Sequence, residues 1–219
     1  MNMLNAKLKI LIVDDHPIMR DGLAMRISSQ PDMTVIGEAS EEEEAMALVT
    51  QLQPDMLIID ISLKRGNGIE LAKRVKMFDA KIKMLVVSTF RKSLYAERAL
   101  RAGALGYLNK QESNEKLIDA IRTVMHGERF VSPETMQRLV SQALGNRTNS
   151  EDPLMSLTDR ELEIFKLIGS GCTTSAIAEQ LFLSTHTVDT HRENIKRKLG
   201  AKNGAELNRQ AIQSMLESG

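Results

Sequence analysis

The sequence has 219 residues, of which 42% are apolar and 26% are charged, a composition typical of globular protein with one or two domains. Lys plus Arg and Asp plus Glu each number 29, so the net charge is zero and gives no overall attraction to nucleic acid or to a membrane. The single cysteine, Cys172, excludes an internal disulfide, and the four histidines lack the spacing of a metal site. The N-terminus has no signal-peptide pattern and no apolar stretch is long enough to span a membrane, so we expect a cytoplasmic protein.

In the first part of the chain, up to about Gly127, short apolar segments alternate with helix-length segments. This order is typical of a parallel sheet covered by helices. Three nearly continuous apolar segments predict strands buried on both faces, at residues 9–13, 56–59 and 83–87, and weaker strand patterns lie at residues 33–39 and 104–108. The predicted helices are residues 17–29, 41–52, 69–78, 93–102 and 113–125. We therefore predict a (βα)₅ doubly wound α/β domain over residues 1–127.

The alternation of predicted strands and helices ends at residue 127. Residues 128–153 are predicted to form a linker with a helix at 132–144 and a flexible polar run at 145–150. Four helices are predicted beyond it, at residues 158–169, 173–182, 185–199 and 203–217. Thr158 and Glu161 have the spacing of a capping box, which starts the first of these helices. The sequence therefore predicts an all-α four-helix domain over residues 154–219.

Polar residues follow the predicted strands at the edge of the sheet where ligands of open parallel sheets bind. Asp14 and Asp15 close the first strand, Asp60 closes the third, Ser88 follows the fourth and Lys110 follows the fifth. Each residue has a commoner role by itself, as a helix cap, a turn former or a surface lysine. The prediction of a site depends on their joint placement.

Three neighbouring carboxylates repel one another unless a divalent cation neutralises them, and Mg²⁺ prefers carboxylate and phosphate oxygens as ligands. We therefore predict that Mg²⁺ is held by Asp14 and Asp15 while Asp60 acts as the nucleophile that accepts a phosphoryl group. The Lys110 ammonium and the Ser88 hydroxyl are predicted to bind the oxygens of the new phosphate.

These segments resemble the receiver domain of bacterial two-component response regulators. The resemblance rests on the acidic pair within Ile10 to Pro17, on the strand that ends at Asp60 with the loop through Gly68, and on Gly106-Tyr107-Leu108-Asn109-Lys110. It covers residues 8–127. The family is phosphorylated by histidine kinases and controls other domains, so the resemblance implies a histidine kinase as phosphodonor.

The resemblance also implies roles for individual residues. Four residues would hold Mg²⁺: Asp14, Asp15, Asp60 and, through its backbone carbonyl, Ser62. Ser88 and Tyr107 would be the switch pair, in which the hydroxyl moves toward the phosphate and the aromatic ring turns inward. The implied function is regulation and not enzymatic turnover, although a receiver assists its own phosphoryl transfer and dephosphorylation.

The loop after Asp60 departs from the family and bears on one alternative. The family commonly has a proline where this chain has Lys64, followed here by Arg65, so we expect a less rigid loop. The alternative is a phosphohydrolase that forms an aspartyl phosphate with the same metal and nucleophile. Such an enzyme usually has a second acid two residues after the nucleophile, where this chain has Ser62.

The third predicted helix of the C-terminal domain has an apolar side, with Val188, Ile195 and Leu199, and an opposite face that is polar. Two short helices joined by a tight turn, the second longer and polar outside, fit a DNA major groove about 12 Å wide. Basic and acidic residues balance in this domain, and periodicity alone leaves a protein-binding helical module as an alternative.

The motifs of this domain resemble the LuxR-type helix-turn-helix: Leu157-Thr158-x-Arg160-Glu161, Ile177-Ala178-Glu179-x-Leu181, Ser184-Thr185-x-Thr187-Val188-x-Thr190-His191 and Asn194-Ile195-x-x-Lys198-Leu199. The resemblance covers residues 156–215 and, with the receiver, indicates the NarL/FixJ subfamily. The implied partners are double-stranded DNA and a second copy of the chain, as a homodimer on DNA.

Carried over by position, the resemblance places Asp189, Thr190 and Glu193 at base edges. Six further residues lie near DNA phosphates: Thr173, Thr174, Thr185, Thr187, Lys196 and Lys198. The acidic pair differs from the basic residues that some members have there, which argues against direct readout of guanine. Carboxylates can accept from cytosine N4, and DNA shape is the other source of specificity.

Overall fold

The computed structural model describes residues 7–89, 92–143 and 153–216. The chain forms two compact units, Met1–Val140 and Ser141–Gly219. The division falls inside helix α6 (Pro133–Ala143), within the segment predicted to link the domains. The polar run predicted at residues 145–150 lies outside the described residues. Among the helices described, none is long and apolar enough to cross a membrane.

A five-stranded parallel sheet with the strand order β2-β1-β3-β4-β5 lies at the centre of the first unit. Its strands are β1 (Leu8–Val13), β2 (Met33–Ala39), β3 (Met56–Ile59), β4 (Lys83–Ser88) and β5 (Gly106–Asn109). The strand order reverses beside β1, where β1 pairs with β2 on one side and with β3 on the other. The predicted doubly wound α/β architecture is therefore confirmed, and this reversal is where such sheets bind ligands.

The helices of this unit cover both faces of the sheet. They are α1 (Pro17–Ser28), α2 (Glu42–Leu52), α3 (Gly68–Phe78), α4 (Lys92–Ala102) and α5 (Ser113–Met125), with a short 3₁₀ helix at Lys110–Glu112. Successive strand residues point to opposite faces, so Ile10 and Ile12 pack against α1 and α5. Helices α2, α3 and α4 lie on the other face. Burial on both faces explains why the central strands read as continuous apolar runs.

The fifth strand begins later than the sequence pattern predicts. The expected strand spans residues 104–108, whereas β5 is Gly106–Asn109. The backbone N–H of Ala104 donates to the carbonyl of Ala99, so Ala104 still belongs to the last turn at the end of α4. This shift matters for the site because it brings Lys110 directly after the end of the strand.

In its described residues the second unit has only helical elements, as predicted: α7 (Asp159–Gly169), α8 (Thr174–Gln180), α9 (Thr185–Leu199) and α10 (Gly204–Leu216), after a 3₁₀ turn at Pro153–Ser156. Three helices begin at a hydroxyl residue whose side chain accepts a backbone N–H of the first turn: Thr158, Thr173 and Ser184. Helix α8 is shorter than predicted because Phe182 has φ 55, in the left-handed region, which ends the helix before the turn to α9.

The core of the second unit is formed by apolar side chains of all four helices: Leu162, Phe165, Ile177, Val188, Ile195 and Leu207. Helices α7 and α10 approach closely at Gly169, where a Cβ atom would lie 2.7 Å from the carbonyl oxygen of Ala211. The opposite, polar side of α9 remains at the surface, because only Val188 and Ile195 of this helix are buried.

Candidate functional site

Three strand ends bring a buried charged cluster together. Asp14 follows β1, Asp60 follows β3 and Lys110 follows β5. The Lys110 Nζ atom lies 2.6 Å from Asp14 Oδ2 and 2.7 Å from Asp60 Oδ2. The exposed fractions are 1% for Asp14, 4% for Asp60 and 7% for Lys110, so solvent screens these contacts weakly. The sequence placed these residues at one edge, and the structure brings them into direct contact.

The cluster has more negatively charged groups than positively charged ones. Burial raises the pKa of Asp60 above its usual value, and although the Lys110 ammonium opposes this, the nearby Asp14 carboxylate adds to it. Burial lowers the pKa of Lys110, but the two carboxylates outweigh burial and raise it, so the ammonium keeps its proton. One cation therefore faces two buried carboxylates, with Asp15 beside them. The site favours a further positive charge.

A group of side chains with the arrangement of a cation site lies between the ends of β1 and β3. Asp14, Asp15, His16 and Asp60 each offer one ligand atom, and these atoms all lie within 4.8 Å of one another. The three carboxylates are hard oxygen donors, which suit Mg²⁺. Ser62, the predicted backbone ligand, is half-buried in the loop after β3, where it forms an isolated bridge with Asn67.

Sequence reasoning gave no role to His16, which the structure places in this group. Its Nδ1 atom lies 2.6 Å from Asp15 Oδ1 and 3.4 Å from Asp14 Oδ1. The spacing between histidines could not reveal it, because its neighbours are aspartates. The available signal was that His16 directly follows Asp14 and Asp15 in the sequence.

The predicted switch residues lie next to the cluster. Ser88 is fully buried and Tyr107 is 4% exposed, so the aromatic ring is directed into the unit. Burial raises the pKa of Tyr107 well above its usual value and the Asp60 carboxylate adds to the effect, which keeps the phenol protonated. The Ser88 hydroxyl lies beside both Asp60 and Tyr107. Within the described part of the chain, its Oγ makes no well-aligned hydrogen bond.

The loop after Asp60 ends at Gly68, which lies against the Asp60 backbone. A Cβ atom on Gly68 would lie 2.0 Å from the backbone oxygen of Asp60, far inside contact distance. The Gly68 N–H also donates to the carbonyl of Ile61 at 2.9 Å. Only glycine allows α3 to begin this close to the Asp60 backbone.

In the second unit, α9 presents the predicted base-facing residues at the surface. Asp189, Thr190 and Glu193 are all exposed, on the same side as His186. The Thr190 hydroxyl donates to the His186 carbonyl at 3.0 Å, so this hydroxyl already has a partner within the helix. The carboxylates of Asp189 and Glu193 lie on the same exposed face.

Residues predicted to lie near DNA phosphates fall into two groups. The threonines lie at helix N-termini: Thr173 caps α8, Thr174 begins α8, Thr185 begins α9 and Thr187 lies in its first turn. The lysines are engaged within the domain. Lys196 Nζ lies 2.7 Å from Glu193 Oε1, and Lys198 Nζ lies 2.6 Å from Glu161 Oε2. Since Glu161 is only 4% exposed, the Lys198 contact holds α9 against α7.

Arg160 makes two further contacts that the sequence did not predict. One Nη atom lies 2.8 Å from Glu163 Oε2 and the other donates to the Leu181 carbonyl at 2.8 Å. Arg160 thereby joins α7 to the end of α8 and fixes the turn that leads into α9. No local sequence signal connects residues 21 positions apart.

Comparisons with known proteins match both units. The response regulator receiver domain matches residues 10–122, and the luxR family of bacterial regulatory proteins matches residues 155–211. The oxygen regulatory protein NreC of Staphylococcus carnosus is 38% identical over 216 residues, covering 95% of this chain and 99% of NreC. The transcriptional regulatory protein YxjL of Bacillus subtilis, which is uncharacterized, is 36% identical over 198 residues, covering 90% and 91%.

Solved structures show the same architecture. RcsB from Salmonella enterica serovar Typhimurium, bound to promoter rprA, has a TM-score of 0.65 at 24% identity and covers 93% of this chain and 97% of RcsB. A LuxR-family response regulator from Aurantimonas has a TM-score of 0.58 at 31% identity and covers 64% of this chain and 99% of that protein.

A receiver joined to a LuxR-type helix-turn-helix defines a response regulator of a two-component system. The chain belongs to this family, in its NarL/FixJ subfamily, and acts as a DNA-binding transcription regulator.

The close approach at Gly68 predicts that Gly68→Ala strains the loop after Asp60. The added methyl group must displace the Asp60 backbone, so we expect the receiver to lose about 1–3 kcal/mol of stability. Urea unfolding followed by tyrosine fluorescence measures the receiver alone, because the chain has 2 tyrosines and no tryptophan, and both Tyr95 and Tyr107 lie in that unit. The control is Gly22→Ala on α1, where no atom lies within 4 Å of the added Cβ. This control is expected to raise stability by up to about 1 kcal/mol, and equal losses in both variants would contradict the strain.

The contact between Glu161 and Lys198 predicts a pH-dependent contribution to stability. Burial raises the pKa of Glu161, but hydrogen bonds from Lys198 and Thr158 outweigh it and hold the pKa below its usual value of 4.5. A lowered carboxyl pKa stabilises the fold above the unfolded value, and this is lost as the pH falls through the folded value. We expect Glu161→Gln to destabilise α7 and α9 by about 1–3 kcal/mol at pH 7, with a smaller difference below the usual pKa.

Amide hydrogen exchange in α7 and α9, corrected for the intrinsic rate at each pH, measures this difference. The control is Glu193→Gln, which removes an exposed carboxylate paired with Lys196 and is expected to change stability by less than about 0.5 kcal/mol. A loss for Glu161→Gln that stays constant from pH 7 to pH 3 would show that the carboxylate charge is not responsible.

Proposed function

We propose that Asp60 is the phosphoacceptor and that a histidine kinase is its donor. The observation that carries the proposal is the buried contact of Lys110 with both Asp14 and Asp60 at the end of the sheet. An Asp60 oxygen attacks the phosphorus of a phosphohistidine, the P–N bond breaks, and the imidazole nitrogen keeps the electron pair. The product is an acyl phosphate, with the Lys110 ammonium beside its oxygens.

Mg²⁺ is the cation that this site fits best. The donor set is Asp14, Asp15 and Asp60, with the Ser62 carbonyl as the further protein ligand, and the buried carboxylates outnumber the one ammonium among them. When bound, Mg²⁺ supplies positive charge to the carboxylates and to the transferred phosphoryl group. Asp60 Oδ1 accepts the Ile61 N–H at 2.7 Å, so the backbone also orients the acceptor.

The signal passes from the phosphate to the Ser88 hydroxyl and then to Tyr107. Ser88 is a donor without a well-aligned partner among the described residues, and it lies beside both the acceptor and the phenol. Phosphorylation favours the receiver state in which this hydroxyl binds the phosphate, and the tyrosine ring adjusts with it.

Two copies of the chain bind double-stranded DNA together. A single small helix-turn-helix reads few base pairs, and two copies on paired half-sites multiply affinity and specificity. We propose that the protein acts in the cytoplasm, because a histidine kinase would phosphorylate it there and the DNA that it binds lies there. The chain serves as a regulator and not as an enzyme with turnover, which is supported by a serine and not an acid at position 62.

Asp60→Asn is expected to abolish phosphorylation, since an amide oxygen is a poor nucleophile and forms no stable acyl phosphate. The measurement is the mass of one added phosphoryl group after incubation with a small acyl phosphate and Mg²⁺. Asp119→Asn, an exposed change on α5, is the control and should be labelled like the parent. Equal labelling of Asp60→Asn and the parent would show that the acceptor lies elsewhere.

The exposed face of α9 predicts two different effects on DNA binding. Lys196→Ala should weaken binding to all duplexes alike and lower the slope of log affinity against log salt by about 1. Asp189→Ala should instead change the preference at one base pair, by about 1–3 kcal/mol. Selection of bound fragments followed by salt titration measures both effects, with Lys116→Ala on the receiver as the control. If no duplex binds the parent in a salt-dependent way, the helical unit binds another class of partner.

A further inference from the structure

The loop between β3 and α3 is held from outside by the beginning of α2. The Glu42 carboxylate accepts the backbone N–H of Asn67 at 3.1 Å through Oε2. The Glu42 N–H donates to the Arg65 carbonyl at 3.0 Å, and the Lys64 N–H donates to the Ser40 carbonyl at 3.1 Å. Side-chain and backbone contacts thus connect this loop to the neighbouring loop after β2.

The Glu42 side chain fits into the space left by a missing side chain. Gly66 has φ +91, and a Cβ atom there would lie 2.4 Å from Glu42 Oε2 and 2.5 Å from Glu42 Cβ. Any other residue at position 66 would therefore exclude the carboxylate from its place. The Glu42 side chain is 14% exposed, so it is largely withdrawn from water.

Arg74 of α3 holds the second oxygen of the same carboxylate. Its Nη1 atom lies 2.8 Å from Glu42 Oε1 and 2.7 Å from Glu43 Oε1. The hydrogen bonds that Arg74 donates to Glu43 and Glu42 raise the pKa of Arg74 further above its usual value. Glu42 therefore binds the end of the loop through Asn67 and the following helix through Arg74.

The restraint at Asn67 is passed across the loop to Ser62. The two residues form an isolated antiparallel bridge, and Gly68 N–H closes the base of the loop on the Ile61 carbonyl. The Asn67 side chain also caps α3, because its Oδ1 accepts the Ile69 N–H at 2.8 Å. The bridge and the Gly68 bond connect Asn67 to the segment that carries Ser62, so a bond at Asn67 also restrains Ser62.

We propose that Glu42 is a positioning residue for phosphoryl transfer, which fixes the loop so that the Ser62 carbonyl is presented to Mg²⁺. This inference rests on the proposed phosphoacceptor and metal site. The contacts of Glu42 with Asn67, Arg65 and Arg74, termed the Glu42 brace, restrain the loop together with the bond from the Lys64 N–H to the Ser40 carbonyl. A side chain outside the metal ligands thereby sets the affinity of the site for the ion.

The test compares three variants of the full chain: Glu42→Ala, Glu42→Gln and Glu43→Ala. Mg²⁺ affinity is measured by titration with amide chemical shifts as the readout, and hydrogen exchange at Asn67 reports the brace without metal. Glu42→Ala should bind Mg²⁺ about tenfold more weakly and expose the Asn67 amide to faster exchange. Glu42→Gln keeps an oxygen that can accept from Asn67 and should stay within about threefold of the parent. Glu43→Ala, which removes only the exposed contact with Arg74, should match the parent.

The variants separate positioning from charge. If Glu42→Gln, which keeps an acceptor for the Asn67 N–H, weakens Mg²⁺ binding as much as Glu42→Ala, the bond to Asn67 does not support the ion site and the inference is overturned. Unchanged Mg²⁺ affinity in a folded Glu42→Ala variant, judged by tyrosine fluorescence, overturns it as well. A parent that binds no Mg²⁺ contradicts the proposed metal site itself. If the parent binds no Mg²⁺, hydrogen exchange at Asn67 still tests the Glu42 brace. Equal exchange in the parent and in Glu42→Ala refutes the brace, and faster exchange in the variant confirms the brace.

Discussion

The buried contact of one ammonium with two carboxylates sets the requirements for the rest of the receiver. Removing a charged group from water costs several kcal/mol, and only close pairing offsets it. Lys110 pairs with both Asp14 and Asp60, which leaves the cluster negative and ready for a cation. Three strands of one parallel sheet supply these residues, since only their carboxyl ends meet at the same edge. The sheet order is thus the reason that residues up to 96 positions apart form one site.

A cluster of this kind requires its backbone to be fixed, because small displacements change strong interactions in a weakly screened site. The Asp14 N–H donates to the Ala39 carbonyl, and the Asp60 N–H donates to the Val13 carbonyl at 2.7 Å. Arg20 donates to the Asp14 carbonyl at 2.7 Å from the first helix. Backbone hydrogen bonds therefore fix the positions of both Asp14 and Asp60. The loop after Asp60 is restrained by Glu42.

The sequence predicted the sheet, its order of elements and the polar edge, because buried strands and strand-end aspartates leave local patterns. It did not predict the ion pairs that join distant elements. Glu42 and Arg74 are separated by 32 positions, and Glu161 and Lys198 by 37. Charge counts show that partners exist but not which ones meet. Lys198 illustrates this, since its sequence position suggests a phosphate contact while its ammonium holds a buried carboxylate of α7.

Phosphorylation would act on a site in which the Lys110 ammonium is already shared between Asp14 and Asp60. A phosphate adds roughly −1.5 to −2 charges at neutral pH, while Lys110 is committed to Asp14 as well as to the acceptor. A ligand shifts an equilibrium only by the difference in its interactions with the two states. Lys110 contacts the acceptor before phosphorylation and so contributes little to that difference. The Ser88 hydroxyl, buried and not yet well bonded within the described residues, contributes more. In the proposed mechanism, the neutral Ser88 hydroxyl and not the Lys110 ammonium would therefore distinguish the phosphorylated state from the unphosphorylated one.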